Sequence, residues 1–193
     1  IESLRQPIED KVISITRVGG RAKFPANFIL IAALNPCPCG NRDVRDKQCI
    51  CSVREINTYK RKLSGPIMDR IDMWIEVSKV DYENLLRDRS GSLETEKARE
   101  SVIIARASMK ERFEKLGINT NLNSLIDHRD LARAAFLSPK AQEILNLGAK
   151  THDLSGRGYH RIIKLARTIA DIEQSKNIEE SHILEALQYR QKH

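Results

Sequence analysis

Two unlike halves are predicted, an α/β segment over residues 1–90 and an all-α bundle over 91–193, the whole being mostly helical. Three observations predict this. Phe28-Ile29-Leu30-Ile31-Ala32-Ala33-Leu34 is a continuous apolar run of strand length, bounded by Asn27 and by Asn35-Pro36, the pattern of a strand covered on both faces of a parallel sheet. Before it, Val12-Ile13-Ser14-Ile15-Thr16-Arg17 and Ala22-Lys23-Phe24-Pro25 flank Val18-Gly19-Gly20-Arg21, which reads as a β-hairpin over 12–24 with a Gly-Gly turn. From Glu94 onward only helical periodicity remains.

In chain order, residues 1–11 read as the tail of a helix ending near Pro7, followed by the hairpin and the apolar strand. Residues 36–52 form a cysteine-bearing loop, residues 53–63 a helix, and Ser64-Gly65-Pro66 starts a short helix at Ile67. Met73-Trp74-Ile75-Glu76-Val77 reads as a second short strand, and Asp88-Arg89-Ser90-Gly91-Ser92 as a linker. The bundle then has helices over 95–116, stopped by Gly117, over 127–137, from Pro139 with Ser138 as its cap, over 154–174 and over 181–191. The helix at 154–174 places Ile162, Ile163, Leu165, Ala166, Ile169 and Ile172 along its inner side.

Composition narrows the partners. Hydrophobic residues at 40% suffice for a core, and no apolar run approaches the roughly 20 residues a bilayer span needs, so no membrane role is expected. The opening Ile1-Glu2-Ser3-Leu4-Arg5 shows no export pattern and reads as the interior of a longer chain, which implies a cytoplasmic setting. The net charge is +7, and residues 1–62 hold 12 Lys+Arg against 6 Asp+Glu, so almost the whole surplus lies in one third. A basic surplus held there fits an anionic partner, nucleic acid or nucleotide; a solvated basic face is the alternative.

All four cysteines fall within fifteen positions, as Cys37-Pro38-Cys39 and Cys49-Ile50-Cys51. Two C-x-C pairs converge four thiolates on one tetrahedral ion, and zinc suits that geometry and needs no redox partner. Such an ion is structural, because four protein ligands leave no open position for water. Free reduced thiols and disulfides remain the alternatives, the latter disfavoured by the absence of an export signal and by strain in a C-x-C bridge.

Ala32-Ala33-Leu34-Asn35-Pro36-Cys37-Pro38-Cys39-Gly40 stands with three other strings: Leu4-Arg5-Gln6-Pro7-Ile8-Glu9, Ser64-Gly65-Pro66-Ile67-Met68-Asp69-Arg70-Ile71-Asp72 and Gly156-Arg157-Gly158-Tyr159-His160-Arg161. Together, in this order, they resemble the magnesium-chelatase-like AAA+ ATPases of the ComM and YifB competence-protein family, nearly across the whole chain. The resemblance implies the latter part of an AAA+ α/β core, without its Walker A and B portion, followed by a helical lid. It identifies Asn35 with sensor 1, an amide that orients the attacking water beside the γ-phosphate of ATP·Mg²⁺. Arg70 takes the place of the arginine finger, which serves a neighbouring subunit, and Arg157 that of sensor 2, with Arg161 as second choice. The hairpin corresponds to a pre-sensor insertion that enters a ring's pore, where Arg17, Arg21 and Lys23 are placed to touch a DNA backbone.

The same resemblance implies a homo-hexamer whose parent protein couples ATP hydrolysis to branch migration or helicase-like work on DNA in natural transformation and recombination. None of the nine glycines precedes a lysine, so no G-x-x-x-x-G-K-[ST] loop exists in these residues, and the chain alone is expected to be inactive toward ATP. Two departures from the family pattern are Gly156 after Ser155, where Ser-Ala is common, and Lys11, where Gly is common. Each role has a bland counterpart: a strand terminator at Asn35-Pro36, an ion pair of Arg70 with Asp69 or Asp72, a merely charged loop at the hairpin. Two other functions stay open, a motor subunit that inserts Mg²⁺ into a porphyrin and a zinc-stapled nucleic-acid-binding module with no motor.

Overall fold

The computed structural model describes residues 1–42, 47–62, 64–77 and 91–190. The chain divides into two compact units, Ile1–Ile71 and Asp72–His193. The boundary expected near 90 borders residues 78–90, which lie outside the described residues, as does most of the linker.

The first unit opens with a 3-10 turn, Glu2–Leu4, that runs into helix α1 (Arg5–Asp10). Contrary to expectation, the helix does not stop at Pro7. That residue occupies the first turn, where a missing N–H costs nothing, and α1 ends on Lys11 in the left-handed region at φ 54°. Strands β1 (Val12–Arg17) and β2 (Gly20–Pro25) pair antiparallel from Val12↔Pro25 to Arg17↔Gly20, joined by Val18-Gly19. Gly20 at φ 146° adopts a backbone that side chains strongly disfavour.

The apolar run at 28–34 is the main correction. It forms no strand, and Ile29 and Ile31 are 88% and 90% exposed, the reverse of burial on both faces. A strand exists only through its ladder partners, and among the described residues none pairs with this segment. The expected strand at 73–77 is likewise absent, although Trp74 N–H donates to Tyr189 O at 2.8 Å. Helix α2 (Val53–Lys60) is shorter than its expected span. It is started by a Ser52/Glu55 capping box, in which each side chain accepts from the other residue's N–H. Helix α3 (Gly65–Met68) begins at the Ser64 cap.

The second unit is a helical bundle: α4 (Gly91–Leu116), α5 (His128–Ala135), α6 (Pro139–Thr151), α7 (Gly156–Ile172) and α8 (Glu180–Gln188), with a 3-10 turn at Asn123–Leu125. Local chemistry sets the starts. Asp127, Ser138 and Ser155 each accept a backbone N–H from the first turn, and Pro139 follows its cap as expected. The core gathers Phe113, Ile126, Leu145, Ile162, Ile178 and Ile183, each worth about 1.5–3 kcal/mol when fully buried. Ile162, Ile163, Ala166 and Ile169 line it as the periodicity implied, but Ile172 is 47% exposed.

Two charged residues take the same buried side of α7. Arg167 donates to the carbonyls of Ala135, Ser175 and Lys176 and pairs with Asp171 at 3.1 Å. Asp171 is also gripped by both terminal nitrogens of Arg112, and Asn123 bridges the two by accepting from Arg112 and donating to Asp171. Burial lowers the Arg167 guanidinium from its ordinary value, with Asp171 opposing that effect. Buried charges survive only when paired in this way.

Candidate functional site

The four cysteines meet. Their sulfurs all lie within 4.8 Å of one another, with Cys37–Cys39 at 3.4 Å and Cys49 at 3.7 Å from each of them. Ligands about 2.3 Å from a tetrahedral zinc stand roughly 3.8 Å apart, so the set fits such an ion. No sulfur pair forms a disulfide, and Cys37 is fully buried. Backbone N–H groups of Asn41 and Ile50 hold the Cys39 thiol down, at about 6. Cys51 also receives a backbone N–H, from Cys39, but burial and the neighbouring sulfurs outweigh it and push it up to about 12. Four such groups repel one another as thiolates, and a bound cation relieves that repulsion.

Asn35 lies two residues before Cys37 and is exposed. Its carbonyl accepts from the Tyr59 hydroxyl at 3.1 Å. Its amide lies over Gly40: a Cβ added there would stand 3.7 Å from the amide nitrogen. Neither partner was visible in the sequence, since the bond to Tyr59 joins residues 24 positions apart. Tyr59 is the one aromatic residue of α2, and that was the hint available.

Arg70 is 7% exposed. One terminal nitrogen contacts Glu9 at 2.5 Å, and the other donates to Pro66 O at 2.5 Å. Asp72, one of the two acidic residues named as an alternative partner, accepts from Arg161 at 2.5 Å. Glu9 was readable only as part of the Leu-Arg-Gln-Pro-Ile-Glu string.

Arg157 is exposed in the first turn of α7, after Ser155, whose hydroxyl accepts from Gly158 N–H at 3.1 Å. That turn carries no acidic residue, although a helix N-terminus favours negative charge. Backbone N–H groups and a guanidinium at one helix start can receive an anion. Arg161, one turn on, is engaged by Asp72. Asn35 and Arg70 belong to the first unit, Arg157 and Arg161 to the second.

The hairpin sorts its basic residues by face. Cross-strand partners share a face, so Arg21 opposite Thr16 and Lys23 opposite Ser14 lie together on a polar side. Arg17 falls on the other side with Ile13, Ile15 and Phe24, which are 42%, 42% and 50% exposed. Every residue of β2 is exposed, and Val18 stands fully exposed at the tip. No helix among the described residues is long and apolar enough to cross a membrane.

Residues 1–85 match the family described as magnesium chelatase, subunit ChlI, and residues 92–190 that described as magnesium chelatase, subunit ChlI C-terminal. Competence protein ComM of Haemophilus influenzae is 36% identical over 190 residues, which cover 98% of this chain and 36% of that protein. YifB of Salmonella typhimurium is 31% identical over 190 residues, again 98% of this chain and 36% of the relative. A protein of Mycobacterium tuberculosis is 32% identical over 197 residues, or 99% of this chain and 37% of its own length. The chain thus spans little more than a third of the curated relatives it matches. With both halves matched in order along nearly all of its length, it belongs to the magnesium chelatase subunit ChlI family.

Proposed function

We propose that this chain is the C-terminal portion of a ring-forming AAA+ ATPase that converts ATP hydrolysis into movement on DNA. The observation that carries the reading is the hairpin. It is exposed along all of β2 and sets Arg21 and Lys23 side by side on one polar face, the arrangement suited to phosphate contact without base reading. In this reading Asn35 orients the attacking water, Arg157 meets the γ-phosphate from its own subunit, and Arg70 meets that of the neighbour after exchanging Glu9 for phosphate. Bound Mg²⁺ neutralises charge on the transferred phosphoryl group, and the arginines add to that effect. The second unit acts as a lid, and zinc held by Cys37, Cys39, Cys49 and Cys51 staples the loop beside Asn35. The 193 residues hold no phosphate loop, so hydrolysis belongs to the longer hexameric protein.

The test is ATPase activity of the intact protein with and without DNA. DNA is expected to stimulate turnover, and Arg21→Ala and Lys23→Ala each to weaken DNA binding and lower its log–log salt slope by about 1. Arg17→Ala, on the opposite face, is expected to change that slope less. Stimulation by a porphyrin with partner subunits, and none by DNA, would turn the assignment toward a metal-inserting motor.

A further inference from the structure

We infer that Tyr59 and the cysteine turn form a clamp that aims the Asn35 amide, so the stapled loop serves hydrolysis by orienting one side chain. The inference rests on the reading of Asn35 as the residue that orients the attacking water. The chain leaves Asn35 straight into the Cys37–Cys39 turn, where Gly40 at φ 75° donates its N–H to Cys37 O at 3.0 Å. That turn presents the bare Cα of Gly40 to the Asn35 amide, with 3.7 Å and 3.8 Å from a would-be Cβ to Nδ2 and Cγ. The chain returns through Cys49 and Cys51, and Ser52 caps α2 at once, its hydroxyl accepting from Glu55 N–H at 3.3 Å. Two turns along α2, Tyr59 reaches back and donates to Asn35 O at 3.1 Å.

Asn35 is therefore engaged at both ends by one excursion of the chain: the outgoing arm lies under its side chain, and the incoming arm holds its carbonyl. The four sulfurs close the base of the same excursion. An amide that positions water depends on where its backbone is held, because displacement by about 1 Å costs on the order of 100-fold in rate. Helix α2 contains no buried residue, so no core packing holds Tyr59 in place of its hydroxyl bond. Tyr59 is thus a positioning residue, acting through Asn35.

The experiment compares the intact protein with Tyr59→Phe, Asn35→Ala and the double variant. It reads kcat and KM for ATP, nucleotide affinity and metal content. Tyr59→Phe is expected to keep its metal and nucleotide affinity, hold KM within about twofold and lose about 3- to 10-fold in kcat, the worth of one hydrogen bond. Asn35→Ala is expected to lose more, and the double variant no more than Asn35→Ala alone, because the hydroxyl acts only through that side chain. A wild-type kcat in Tyr59→Phe, a further equal drop in the double variant, or loss of metal in Tyr59→Phe overturns the clamp. A wild-type kcat in Asn35→Ala instead overturns the sensor reading, and the clamp with it.

Discussion

The two units hold themselves together by different means. In the first, the buried side chains among the described residues are Pro7, Cys37, Ile67 and Arg70, and its longest apolar run lies open. The second has a contiguous core spanning Met109 to Ala186 and a buried ion network beneath it. A bundle built from amphipathic helices and short connections closes on itself. A unit whose longest apolar run pairs with no strand among the described residues does not close in that way. In the first unit the converging sulfurs of Cys37, Cys39, Cys49 and Cys51, which fit a metal ion, and the Tyr59 hydroxyl bond to Asn35 O tie together segments that bury little apolar surface.

Metal withdrawal tests this contrast most severely. Structural zinc contributes on the order of 10 kcal/mol of apparent binding energy in small domains. Chelation, or Cys37→Ser, is expected to abolish amide protection around residues 47–60 while leaving thermal unfolding of the bundle where it was. Hydrogen exchange with calorimetry reads both, and a single transition that shifts as a whole would erase the distinction.

Next in size is Asp171→Ala in the bundle. It strands two arginines, Arg112 at 11% and Arg167 at 1% side-chain exposure, and is expected to cost about 3–5 kcal/mol in denaturant unfolding. A loss below 1 kcal/mol would mean the network is incidental to the fold.

The smallest effect belongs to the first unit. Lys11 sits at φ 54° and ψ 26°, the helix-terminating conformation in which a Cβ is penalised. Lys11→Gly is expected to stabilise by about 0.5–1 kcal/mol, net of the flexibility glycine adds to the unfolded chain. A destabilised variant would show that the lysine side chain makes a compensating contact.

Local features were legible in the sequence. The hairpin, the Ser138-Pro139 start, the four-thiol cluster and the helical second half each follow from residues a few positions apart. Non-local ones were not. The run at 28–34 reads as a buried strand because composition carries no record of which neighbours are present. Arg167 and Asp171 sit four apart on one helix, but the network that buries them includes Arg112, 59 positions from Asp171. The same distance effect hid Glu9 from Arg70 and Tyr59 from Asn35.

The open run at 28–34 has a practical consequence for colloidal behaviour. Seven uncharged, β-forming or small residues without proline, two of them nearly fully accessible, have the composition of segments that stack into intermolecular sheets. Asn27, Asn35 and Pro36 border the run without placing a charge against it, so gatekeeping falls to Lys23 and the prolines at 25 and 36. Polypeptide prepared as these 193 residues should therefore precipitate with rising concentration sooner than its +7 charge suggests, and a lysine at position 29 or 31 should delay it.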